Sequence, residues 1–91
     1  MIRSFLHRGL KQLFEPGASA KVAPALQQRI LRRLDALDAA KDPGDMNVPG
    51  FDFHTLRGKP LRYGVHVNGP WCITFGFEKG DAYRVDLEQY H

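Results

Sequence analysis

The period of the apolar residues changes once along the chain, and that change restricts the possible folds more than any other feature of the sequence. Through about residue 41 the apolar side chains recur at helical spacing, as Leu6, Leu10, Leu13 and Phe14 and then as Leu26, Ile30, Leu34 and Leu37. Glu15-Pro16-Gly17 stops the first run, because proline lacks a backbone donor and glycine tolerates the turn. Pro24 opens the second, where its fixed φ suits a first helical turn. Asp42-Pro43-Gly44-Asp45 and Val48-Pro49-Gly50 carry turn chemistry. Beyond them the period is two: Tyr63, Val65 and Val67, then Trp71, Ile73, Phe75 and Phe77, then Tyr83, Val85 and Leu87. Asn68-Gly69-Pro70 and Glu78-Lys79-Gly80-Asp81 separate these runs. Such a chain folds as an antiparallel meander with one apolar face, and the helices can cover that face. The expected class is α+β: two N-terminal helices packed on a small curved, mainly antiparallel β-sheet, with residues 2–5 as a short extra strand. Its 91 residues fit a single domain spanning 1–91.

Charge distribution is more informative than the formal net charge of +3. No acidic residue lies between Phe53 and Phe77, whereas His54, Arg57, Lys59, Arg62 and His66 all do. The acids crowd elsewhere, at Asp35, Asp38, Asp42, Asp45 and Asp52. A segregated basic surface suits a polyanion, because neutralised phosphates release condensed counterions. The alternative for this stretch is a solvated strand face. The one cysteine, Cys72, excludes an internal disulfide and a thiolate-rich zinc site, and the histidines show no ligand spacing. Neither a metal nor another cofactor is expected. The N-terminal residues lack an apolar signal core, and no run approaches the roughly 20 apolar residues that span a bilayer. A cytoplasmic protein without a membrane partner is the expectation.

Several polar residues fit the chemistry of RNA cleavage without a metal. A base must take the ribose 2′-hydroxyl proton, an acid must protonate the departing 5′-oxygen, and cations must meet the charge on the phosphorane. His54 and His91 suit the proton transfers, since histidine titrates near neutrality. Arg57 and Arg62 offer planar forks to phosphate oxygens, with Lys59 as a further RNA contact. Tyr90 can stack a splayed base. His54 stands where the sheet begins, and Tyr90-His91 follow its last strand, so strand ends can bring them together. His7 and His66 read as structural or solvent-facing, Trp71 and Tyr83 as packing, and Phe51 and Phe53 as covers for the sheet edge. Arg29, Arg32 and Arg33 read as a solvated helix face. From the residues alone, the conclusion is a small basic α+β domain with RNA as one candidate partner.

A family resemblance runs nearly end to end. Met1-Ile2-Arg3-Ser4-Phe5 with the Leu10–Phe14 helix resembles the start of HigB-type toxins, a branch of the RelE/ParE-like superfamily. Leu34-Asp35-Ala36-Leu37-Asp38-Ala39-Ala40 is similar to their LxxLDxA signature, and His54-Thr55-Leu56-Arg57-Gly58 to their HPLKG segment. The stretch from Val67 to Phe75 resembles VNxxWRITF, Gly80-Asp81-Ala82-Tyr83 resembles GDAY, and Glu88-Gln89-Tyr90-His91 resembles EDYH. The resemblance implies the RelE-like toxin fold and ribosome-dependent cleavage of translated mRNA. It also implies a HigA-like helix-turn-helix antitoxin as partner, with DNA contacted only through that antitoxin. Carried over, His54, Arg57, Tyr90 and His91 take the catalytic positions. Gln89 replaces the usual acid before the terminal tyrosine, Cys72 replaces the usual arginine after the tryptophan, and Arg57 stands for lysine. Arg62 is the candidate to supply the missing arginine. A second reading follows from these departures: an attenuated member that binds antitoxin, RNA or ribosome without cutting.

Overall fold

The computed structural model describes residues 1–15 and 21–89. Helix α1 spans Arg8–Phe14 and helix α2 spans Pro24–Ala39. His7 caps α1, its Nδ1 accepting from the Leu10 amide at 3.1 Å, which satisfies one of the donors left open at a helix start. The Glu15 amide closes the helix on the Lys11 carbonyl at 3.0 Å, while the expected stop at Pro16-Gly17 lies outside the described residues. Pro24 occupies the first turn of α2 as expected. Its apolar stripe delivers Ile30, Leu34 and Leu37, all fully buried, to the core. The turn at Asp42 is a short 3₁₀ helix, Pro43–Met46, held by a reciprocal capping box between Asp42 and Asp45.

Four strands follow in sequence order and pair antiparallel: β1 His54–Leu56, β2 Arg62–Asn68, β3 Trp71–Glu78 and β4 Asp81–Gln89. The meander thus gains a strand, β1, that is too short to show an alternation in sequence. Lys79 and Gly80, both at positive φ (51° and 82°), make the two-residue turn between β3 and β4. One face of the sheet meets both helices. Val65, Val67, Ile73, Phe75 and Val85 pack there against Leu10, Leu13, Ile30, Leu34 and Leu37. Burying each such side chain contributes about 1.5–3 kcal/mol, so this layer dominates the fold's stability. The expected α+β architecture is the one observed, with the helices on one face.

Residues 2–5 do not form a strand. Ile2 and Phe5 make isolated parallel bridges to Ala82 and Val85. The ladder cannot continue between them because β4 bulges: Thr74 pairs with Asp86 but Gly76 pairs with Tyr83, leaving one extra residue. Arg84 occupies the bulge at φ 53°, and its amide donates to Ser4 Oγ at 2.8 Å instead of to a ladder partner. An ion-pair clamp secures this segment, with Asp81 3.3 Å from the N-terminal ammonium and 3.1 Å from Arg3. Among the described residues, no helix is long and apolar enough to cross a membrane.

Candidate active site on the outer face of the sheet

Strand alternation that buries Val65, Ile73 and Phe75 sends Arg62, Gly64, His66, Cys72 and Thr74 to the face away from the helices. Register places His54, Gly64, Thr74 and Asp86 in one row across the four strands, with His66, Cys72 and Glu88 in the neighbouring row. His54 is the first residue of β1. Asp52, two residues earlier, adopts a positive φ of 48° that turns its carbonyl to the imidazole, 2.9 Å from Nδ1. A carbonyl only accepts, so that bond puts a proton on Nδ1 and leaves Nε2 with its lone pair in the neutral ring. Nε2 lies over Gly64: a Cβ built there would sit 3.2 Å from Nε2 and 3.3 Å from Cε1.

Arg62, at the start of β2, reaches across the same face. One of its terminal nitrogens donates to Thr74 Oγ1 at 3.1 Å and to the Arg84 carbonyl at 2.9 Å, and lies 4.0 Å from Glu88 Oε1. The Thr74 hydroxyl in turn donates a hydrogen bond to Glu88 Oε1 at 2.8 Å. The Thr74 side chain is fully buried, so this chain of bonds removes what would otherwise be a costly unsatisfied hydroxyl. The bulge aims the Arg84 carbonyl at the guanidinium, which gives the left-handed backbone at a non-glycine residue a local role. A cation is therefore fixed on the outer face, one pleat repeat along β3 from Cys72.

The other predicted residues fall into distinct groups. Arg57 and Lys59 are exposed in the loop between β1 and β2, which also leads to Arg62. Tyr90 and His91 lie outside the described residues; β4 is followed to Gln89, which pairs with Trp71. Cys72 is buried, and its thiol pKa is pushed up first by that burial and then by the nearby Asp52 carboxylate. His66 bonds the Gly69 carbonyl at 2.9 Å within the β2–β3 turn, matching its structural assignment, as does the capping role of His7.

Arg33 corrects the reading of α2 as carrying a solvated arginine face. It is 7% exposed, donates to the carbonyls of His66, Gly50 and Arg29 at 2.6, 3.2 and 3.0 Å, and stacks 4.5 Å from the Phe51 ring centroid. Arg29 adds a bond to the Val67 carbonyl at 3.1 Å. Strand β1 ends its pairing at Gly64, so the remaining edge of β2 needs other partners: the His66 amide donates to the Phe51 carbonyl, and these arginines donate to the His66 and Val67 carbonyls. Desolvation, then the charges of Arg29 and Arg32, lowers the Arg33 pKa. Phe51 and Phe53 cover the edge as expected, Phe53 stacking on Tyr63 with centroids 5.8 Å apart. Tyr83 departs from expectation. The bulge reverses the alternation of β4, so Tyr83 pairs with Gly76 on the outer face while Val85 enters the core.

Thr74, Glu88 and Gly64 were absent from the residues selected by sequence. The signal existed: if Ile73 and Phe75 face the core, Cys72 and Thr74 must share the opposite face with whatever β4 pairs to them. Gly64, breaking an otherwise branched and aromatic strand, marked a close approach.

Comparison with known proteins agrees with this architecture. The family described as the RelE-like toxin of the type II toxin–antitoxin system HigB matches residues 3–91. Endoribonuclease HigB of Proteus vulgaris is 42% identical over 92 aligned positions, covering the whole of both chains. A match across both helices, all four strands and the outer-face residues leaves no part of the fold unaccounted for, and the chain belongs to the HigB-like family of RelE-like toxins.

Proposed function

We propose that this chain is an endoribonuclease toxin that cuts messenger RNA on the translating ribosome, by acid–base chemistry without a metal. The observation that carries the proposal is His54, held by the Asp52 carbonyl as the tautomer whose Nε2 can accept a proton. In that role Nε2 takes the 2′-hydroxyl proton, and the 2′-oxygen attacks the adjacent phosphorus. Arg62 meets the charge on the phosphorane, with Arg57 and Lys59 guiding the strand from their loop. His91 protonates the departing 5′-oxygen, leaving a 2′,3′-cyclic phosphate and a free 5′-hydroxyl, and Tyr90 holds a base or orients the phosphate. A domain this small relies on the ribosome to align the strand for attack, a positioning effect worth several kcal/mol. The ribosome and the mRNA are thus its working partners in the cytoplasm. A HigA-like helix-turn-helix antitoxin is the partner that silences it and alone contacts DNA.

The test is cleavage of ribosome-bound mRNA by the wild-type chain beside His54→Ala, with induced expression in growing bacteria as a second readout. Loss of roughly 10²–10⁴-fold in rate is expected for the variant. A second reading, an attenuated member that binds without cutting, draws on Gln89, on buried Cys72 and on the contacts that already occupy Arg62. Soluble wild-type protein that neither cuts nor arrests growth would decide for it.

A further inference from the structure

A cleft of about 350 Å³ opens beside Arg62, at the end of the outer face away from His66. Its volume falls within the roughly 300–1,000 Å³ range of small-molecule sites. The bulge creates it. By turning Tyr83 outward against Gly76, it places an aromatic ring across from a residue with no side chain, so the floor stays open. Leu61, 53% exposed, also lines the cleft. Arg62 and Arg84 supply cations to the lining against the single acid Glu78. Gly76 lies two residues along β3 from Thr74, about 7 Å away, so the cleft continues the face that carries His54 and Arg62.

We infer that this cleft is a nucleotide subsite, in which one unpaired base of single-stranded RNA stacks on Tyr83 over Gly76 while its phosphate meets Arg62 and Arg84. The inference rests on the endoribonuclease reading only in assigning this nucleotide to the strand being cut. An aromatic ring beside guanidiniums is the pairing that single-stranded nucleic acid recognises, because every base has a face to stack and every nucleotide carries a phosphate. A protein segment without carboxylates would use the aromatic wall but gain little from two arginines. Arg62 then serves two neighbouring nucleotides, and occupation of the cleft fixes which phosphate faces His54.

The experiment titrates the isotopically labelled full chain with a short 2′-O-methylated oligoribonucleotide, whose blocked 2′-oxygens prevent cleavage, and follows backbone amide shifts. Gly76 and Tyr83 amides should move. Tyr83→Ala should weaken binding by about tenfold, and Tyr83→Phe should retain it. Gly76→Val is a second test that leaves the ring in place. The added Cβ would meet the Tyr83 carbonyl at an ordinary 3.7 Å, so the strand should tolerate it while the side chain fills the floor. Shifts confined to the His54 row, or wild-type affinity in both Tyr83→Ala and Gly76→Val, would overturn the subsite. So would cleft amides that respond only to added antitoxin. Cleavage by the wild-type chain is scored separately: cutting without RNA at Tyr83 removes the subsite alone, and RNA at Tyr83 without cutting keeps the subsite and removes the nuclease reading.

Discussion

The His54 imidazole lies across Gly64, with Nε2 only 3.2 Å from the position a Cβ would take. Gly64→Ala should therefore displace the ring from the place that the Asp52 carbonyl sets for it. Cleavage should fall at least tenfold, a part of the roughly 10²–10⁴-fold that an acid–base group contributes. Gly64 itself is not at a positive φ, so the melting temperature should move much less than the rate. An unchanged single-turnover rate on ribosome-bound mRNA would show that the ring position over Gly64 is unimportant.

Arg33 makes the opposite prediction, large on stability. Arg33→Met keeps much of the volume but leaves the His66 and Gly50 carbonyls without their donor. Two under-satisfied carbonyls and a lost cation–π contact should cost about 2–4 kcal/mol in urea unfolding. A loss below about 0.5 kcal/mol would return Arg33 to the class of ordinary surface substitutions.

Cys72 should be chemically quiet in the native chain. Its pKa is raised, so at any pH below that value less thiolate is present than in the unfolded chain, and burial limits access as well. Alkylation by iodoacetamide at mildly alkaline pH should be slow in native protein and fast in denaturant. Equal rates would mean that the β3 region opens readily.

Asp81 sets an acid dependence. Its carboxyl is held below the ordinary value, first by the Arg3 hydrogen bond and with help from the N-terminal ammonium. A depressed folded pKa contributes stability that is present above the unfolded carboxylate value and is lost as pH falls through the folded one. The N-terminal segment should thus loosen from β4 in acid. Hydrogen exchange at the Arg3 and Ala82 amides should quicken as pH falls below the carboxylate range, once corrected for intrinsic rates, and Asp81→Asn should show that loosening already at neutral pH.

Much of this fold was legible in sequence because the apolar period determines which face is buried, as Ile30, Leu34 and Leu37 on α2 and Ile73 and Phe75 on β3 show. What escaped has local causes. Strand β1 has three residues, too few for a period, and it is defined by pairing with β2. Tyr83 looked like core because alternation assumes an unbroken ladder, and a bulge at Arg84 shifts every residue before it to the other face. Arg33 looked solvated because sequence does not reveal that the β2 edge lacks a strand partner beyond Gly64. At the candidate site, His54 and Arg62 could be named from their side-chain chemistry, but Gly64, Thr74 and Glu88 come beside them only through register, and Asp52 through its positive φ.

The terminal pair gives the most decisive test of the proton-transfer scheme. Among the described residues the core stripe of β4 ends with Leu87 and pairing to β3 is followed to Gln89, so a chain lacking Tyr90 and His91 keeps every residue of the helix–sheet layer given above. If His91 protonates the leaving 5′-oxygen, its loss alone should cost roughly 10²–10⁴-fold in rate. The melting transition should change by about 0.5 kcal/mol or less, as is usual for terminal polar residues. Growth arrest, ribosome-bound mRNA cleavage and a melting curve should be measured together, with antitoxin binding as the folding control. A truncated chain that still cuts mRNA would remove both residues from the chemistry and leave His54 with some other acid. A chain that folds and binds antitoxin but no longer cuts would assign the acid to this pair. His91→Ala in the full-length chain then separates the proton from the ring: it should lose the rate at neutral pH, whereas Tyr90→Phe should keep stacking and lose only what the phenol contributes.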